Sequence, residues 1–143
     1  MRNGGTENDR IEQELAELRR EKHSAAGKTV LCLIWDNPPT AAGQGSLPDT
    51  VIRLAGQRNI AGGIRQDYFN PSFEWLLKNQ PDILLLPGFS EKQVENLKKS
   101  LPWTKLKAVR ENQIISDIDP DLLLRPGPRL TQGIRLLAER CRN

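Results

Sequence analysis

Two short apolar runs, Val30–Trp35 and Ile83–Leu86, constrain the folding of this chain more than any other feature in it. Neither run alternates apolar with polar residues. A strand made from either must therefore be covered on both faces, as in a mostly parallel sheet with helices on each side. The stretches between them carry helix punctuation. Ser46 is placed to cap a helix reaching about Ala55, with Pro48 in its first turn and Gly56 as its stop. Strands alternating with helices predict an α/β layer fold: a single Rossmann-like lobe with a mostly parallel central sheet.

The remaining segments can be read in the same way. Residues 1–8 are polar and glycine-containing and read as a disordered N-terminus. Residues 9–25 read as a helix, with Asp9 and Glu12 as a capping pair and Ile11, Leu15 and Leu18 on one stripe. Residues 28–143 then form the globular unit. Its first strand is Lys28–Trp35, and Asp36–Gly45 is a Pro/Gly-rich loop. Asn59–Asn70 is an irregular crossing with short extended pieces. A helix runs from Pro71 or Ser72 to about Asn79, and Pro81-Asp82 turns into the strand Ile83–Leu86. Ser90 caps a Lys-rich helix to about Ser100. Lys105–Val109 and Gln113–Ile118 are expected as two strands across an Arg-Glu-Asn turn. A last helix starts at Pro126–Pro128 and runs to Cys141, with Leu130, Ile134, Leu137 and Cys141 on one face.

Composition sets limits on function. A chain of 143 residues with 37% hydrophobic and 27% charged residues supports one soluble globular core. Net charge is only +3 and no dense basic run interleaves with aromatics, which argues against nucleic acid as a partner. No apolar run is long enough to span a bilayer, and the polar start at Met1–Arg10 lacks the apolar stretch of a signal peptide. Cys32 and Cys141 do not form a Cys-x-x-Cys or Cys/His cluster, so a metal site is not expected. The lone His23 reads as solvated. Without Gly-x-Ser-x-Gly or grouped carboxylates, an enzyme is not expected either. Gly43-Gln44-Gly45-Ser46 lacks the Gly-Lys-Ser/Thr ending of a phosphate loop and reads as a tight turn before a capping serine.

Several motifs stand in a fixed order: Trp35-Asp36-Asn37-Pro38-Pro39, Gly56-Gln57-Arg58-Asn59-Ile60, Asn70-Pro71-Ser72-Phe73-Glu74, Pro81-Asp82-Ile83-Leu84, Asn112-Gln113-Ile114-Ile115 and Arg125-Pro126-Gly127-Pro128-Arg129. Together they resemble the C-terminal lobe of periplasmic binding proteins serving ABC importers of cobalamin, ferric siderophores and haem. Gln57 departs from the second glycine usual in that family, and Pro71 from a small β-branched residue. The resemblance implies a two-lobed whole, with residues 9–25 as the tail of an interlobe helix and the N-terminal lobe missing from this chain. It implies an ABC transporter permease and a metal-chelate or corrinoid ligand as partners, and no cofactor. It also implies that the full-length protein is periplasmic or a cell-surface lipoprotein.

The resemblance also marks site residues. Glu74 would dock on arginines of the permease, since a carboxylate on a rigid helix start can form bidentate charge-assisted pairs; the alternative is a solvated Glu favoured by the helix dipole. Trp35, Asp36 and Asn37 follow the first strand, where open α/β sheets bind ligands. Core packing remains the alternative for Trp35. Tyr68 would add an aromatic ligand contact. Asp121 is a further ligand candidate, with turn capping as its alternative, while Arg125 and Arg129 read as structural. A separate reading makes the chain an α/β interaction module, forming a homo-oligomer through Ile11, Leu15 and Leu18 or pairing with a separate lobe.

Overall fold

The computed structural model describes residues 27–142, so the helix expected over 9–25 and the N-terminus before it lie outside the described residues. The elements are β1 (Thr29–Asp36), β2 (Pro39–Ala42), α1 (Leu47–Leu54), β3 (Arg58–Asn59), β4 (Tyr68–Phe69), α2 (Phe73–Lys78), β5 (Ile83–Leu85), α3 (Glu91–Lys98), α4 (Lys107–Arg110), β6 (Ile114–Ile115), α5 (Asp121–Leu124) and α6 (Leu130–Arg142). A 3-10 turn at Trp103–Lys105 precedes α4. The sheet order is β4-β2-β1-β5-β6, with β3 also on β1. Pairs β1–β3, β1–β5 and β5–β6 are parallel, while β1–β2 and β2–β4 are antiparallel. The sheet is thus a parallel centre with an antiparallel extension.

The unbroken apolar runs arise because each strand feeds two cores. Val30, Cys32, Ile83, Leu85 and Ile115 face α1, α5 and α6, where Val51, Ile52, Leu122, Leu123, Ile134 and Leu137 pack. Leu31, Leu33, Leu84 and Leu86 face the other way, toward Leu76 of α2, Leu97 of α3, Trp103 and Leu106. Full burial of Cys32 pushes its thiol pKa up to about 12. Cys141 packs in the same core as Cys32.

Three serines set helix starts by the expected chemistry. Ser46, Ser72 and Ser90 each accept the N–H three residues on, and Gln93 completes a capping box with Ser90. Gly56, at φ 85, stops α1. Gln57, which departs from the family glycine, clamps the start of β1: its Oε1 accepts from Lys28 N–H at 2.7 Å and its Nε2 donates to Ala55 O at 3.0 Å.

The structure departs from the sequence reading in several places. Within the expected loop 36–45, Pro39–Ala42 forms a strand between β1 and β4; Pro39 opens it, a position that tolerates proline. Lys105–Val109 is not a strand. Leu106, Val109 and Arg110 close i→i+3 and i→i+4 bonds instead, and the apolar spacing of Leu106 and Ala108 only mimics alternation. The strand expected over Gln113–Ile118 contracts to Ile114–Ile115, a short helix appears at Asp121–Leu124, and the last helix begins at Leu130.

α6 and α5 approach closely at Gly133, where an added Cβ would overlap the Leu122 carbonyl oxygen. A backbone carbonyl fixed within a helix cannot move aside cheaply, so the overlap outweighs the helix propensity gained, about 1 kcal/mol. Gly133→Ala is therefore expected to destabilise the fold by about 1–3 kcal/mol net in urea unfolding; a more stable variant would show that the two helices separate freely.

Candidate functional site

Because β1, β3, β5 and β6 are mutually parallel, their carboxyl ends share one edge of the sheet. The segments Trp35–Asn37, Pro87–Phe89 and Ser116–Pro120 emerge there. A Cβ placed on Gly88 would sit 3.4 Å from Pro120, so the loops after β5 and β6 meet.

A β-bulge determines which way the first of these segments faces. Leu33 pairs with Ala41, but Trp35 pairs with Thr40, leaving Ile34 as the extra residue. Without the bulge Trp35 would follow Leu31 and Leu33 into the core under α2 and α3. With it, Trp35 lies on the face of Thr40 and Ala42, and its ring is 55% exposed. The core reading for Trp35 is therefore wrong: the pattern is broken one residue early. The Trp35 indole donates to Asn37 O at 2.9 Å, which orients the ring.

Tyr68 pairs with Ala42 across β2, so its ring is on the same face as Trp35, and it is 41% exposed. Partial burial, with smaller contributions from Cys32 and Asp67, raises the Tyr68 hydroxyl above its ordinary pKa. The phenol is a neutral donor at physiological pH. Trp35 and Tyr68 thus form two exposed aromatic surfaces on one wall. Next to Tyr68, Phe69 packs edge-on against Trp75 of α2, with ring centroids 5.3 Å apart and planes at 78°.

Asp36 and Asn37 serve the opposite side of the rim. They line a cavity of about 390 Å³ with Phe73, Gln93, Leu101 and Trp103, and Gln93 Nε2 lies 3.5 Å from Asp36 Oδ2. Asp121 is exposed, holds Arg125 through a 3.1 Å ion pair and does not line that cavity. Glu74 is exposed in the first turn of α2, flanked by exposed Phe73 and Leu77. Phe73 and Leu101 were not singled out from sequence. The available signal was four apolar residues among the six of α2, more than so short a helix buries on one side. Among the described residues, no group of three or more His, Cys, Asp and Glu is placed to hold a metal. No helix among them is long and apolar enough to cross a membrane.

Comparison with known proteins places this geometry. The profile of the family described as "Periplasmic binding protein" matches residues 7–122. The chain belongs to the periplasmic binding protein family. The ABC transporter substrate-binding lipoprotein YvrC of Bacillus subtilis (strain 168), itself uncharacterized, is 40% identical over 67 residues, which are 46% of this chain and 20% of that protein. The structure of the periplasmic heme-binding protein RhuT from Roseiflexus sp. RS-1 superposes with a TM-score of 0.83 at 27% identity, covering 96% of this chain and 54% of that one. The periplasmic vitamin B12 binding protein BtuF of Vibrio cholerae superposes with a TM-score of 0.76 at 24% identity, covering 94% and 51%, a likeness of fold alone. The chain spans about half the length of these solved structures and a fifth of the curated relative.

Trp35 and Trp103 divide surface from core. Trp35→Ala is expected to change folding stability by no more than about 0.5 kcal/mol. Trp103→Ala, at a site only 4% exposed, should cost about 3–5 kcal/mol. Equal costs in chemical denaturation would return Trp35 to the core.

Proposed function

We propose that this chain is the C-terminal lobe of the substrate-binding component of an ABC importer. The complete protein captures a metal-chelate or corrinoid ligand, of the siderophore, haem or cobalamin type, and delivers it to a membrane permease. The observation that carries this reading is the pair of exposed aromatic rings, Trp35 and Tyr68, on one face of the sheet, with Trp35 at its carboxyl edge. Exposed aromatic rings suit flat or bulky ligands, burying much area with few rotors to freeze. Asp36, Asn37 and Asp121 supply polar contacts at the rim. Support also comes from the heme-binding relative and from the substrate-binding lipoprotein; by the same likeness, the complete protein resides in the periplasm or as a lipoprotein on the cell surface.

Coverage of about half of each solved relative supports a second lobe as the opposing wall. One wall leaves much of the ligand in water, whereas binding pockets bury most of it. Titration of hemin, cyanocobalamin or a ferric hydroxamate into the isolated chain, with Trp35→Phe as control, is expected to quench Trp35 emission weakly and without saturation at low concentration. Nanomolar binding by the isolated chain would overturn the need for a second wall.

Glu74 docks on the permease. Its position on a capped helix start fixes the backbone that presents the carboxylate, and charge-assisted bidentate pairing with arginine supplies orientation as well as affinity. In the complete two-lobed protein, Glu74→Ala should leave ligand affinity unchanged and weaken permease docking by about 10- to 100-fold. Unchanged uptake and docking would refute the role.

A further inference from the structure

The carboxyl edge of the sheet holds a recess that is separate from the aromatic wall. The bulge that turns Trp35 toward the face of Tyr68 turns Asp36 to the other face. There a cavity of about 390 Å³ opens between the β1–β2 hairpin, the start of α2, α3 and the turn that follows α3. That volume falls within the range of small-molecule sites, about 300–1,000 Å³.

The walls of the cavity are apolar and wet. Phe73 is 55% exposed and Leu101 58%, and both line it together with buried Trp103. Large apolar side chains left in water around a concave surface favour an apolar occupant, because covering them removes that area from water.

The charge in the cavity has one sign. Asp36 is the only ionisable residue of the lining, and no Lys or Arg enters it. Among the described residues Asp36 forms no ion pair, and its one side-chain hydrogen bond comes from Gln93 Nε2 at 3.5 Å. The capping box accounts for that contact. Gln93 Oε1 accepts from Ser90 N–H at 2.9 Å, which leaves the amide nitrogen to face Asp36. A carboxylate offers about four acceptor positions, so most of those on Asp36 stay open. Filling the cavity would strip water from this carboxylate, and a cation bonded to it offsets that cost. Asn96, on the next turn of α3, brings a second amide to the lining.

We propose that this cavity binds a small amphipathic cation, a primary ammonium group carried on a compact apolar body. The ammonium bonds to Asp36, and the body lies between Phe73 and Leu101. Anions are disfavoured, because the lining presents them with a carboxylate and no cation. The site stands independently of the transport reading.

Three molecules of similar size test this in the full chain: 2-phenylethylammonium, 2-phenylethanol and phenylacetate, each titrated while amide NMR shifts are followed. The expected result is saturable shifts at Phe73, Gln93, Asn96 and Leu101 with millimolar affinity for the ammonium, and binding of phenylacetate weaker by about tenfold or more. Asp36→Asn should weaken the ammonium about tenfold and leave the alcohol unchanged. Leu101→Ser should weaken both. Equal affinity for the three molecules, shifts centred on Trp35 and Tyr68, or no saturable shift in the millimolar range would overturn the proposal. So would ammonium binding that Asp36→Asn leaves intact.

Discussion

One extra residue in β1 controls the relation between core and surface in this lobe. Up to Leu33 the strand alternates between two buried layers, and each residue has a core to fill. The bulge at Ile34 breaks that alternation at the carboxyl end. Trp35 passes to the face it shares with Tyr68, and Asp36 passes to the face of Gln93 and Phe73. Shifting a strand by one residue exchanges its faces, so removing the bulge would bury the indole among Leu31 and Leu33 and turn the carboxylate to the aromatic wall. The same eight-residue strand thus builds a core with its first part and an exposed rim with its last.

The bulge can be tolerated because the opposite half of β1 is pinned. Gln57 holds Lys28 and Asp82 holds Thr29, so the strand cannot slide to absorb the extra residue. A buried polar group secures the neighbouring layer. Asp49, only 2% exposed, accepts from Asn59 Nδ2 at 2.9 Å, Gly45 N–H at 3.2 Å and Arg53 Nη2 at 3.3 Å. Asn59 also donates to Ala42 O and accepts from Ala61 N–H. These bonds join α1, β2 and β3, and they compensate the cost of burying a carboxylate. The antiparallel extension bearing Tyr68 therefore grows from a fixed base.

Much of this was legible in the sequence, for identifiable physical reasons. The doubly covered strands followed from unbroken apolar runs, and the helix starts followed from Ser46, Ser72 and Ser90, because capping is local chemistry. The errors lie where local pattern and tertiary packing disagree. Leu106 and Ala108 alternate like a strand, yet one helical turn buries Leu106, Ala108 and Val109 together beneath β5. Pro38-Pro39 suggested a loop, yet the first position of a strand accepts Pro39. The bulge left no trace in composition, since Ile34 and Trp35 suit a regular strand equally well, so the facing of Trp35 stayed undecided. Nothing in the local sequence marks Asp49 beyond its place in the first turn of α1; only the distant Asn59 makes it a structural centre.

The aromatic wall and α2 form one mechanical unit. Tyr68 and Phe69 are consecutive residues of a two-residue strand, and Phe69 is held edge-on by Trp75, whose helix also carries Glu74. Asn70 ties the same segment to β2, donating to Pro39 O at 2.9 Å and to Thr40 Oγ1 at 3.2 Å. Interiors packed to this density transmit displacement rather than absorb it. On the proposed reading, ligand contact at Tyr68 and permease contact at Glu74 cannot shift independently within this lobe. Information about ligand occupancy must then reach the permease through movement of this lobe as a body against the opposing one, a motion of the hinge or shear kind, and not through rearrangement inside it.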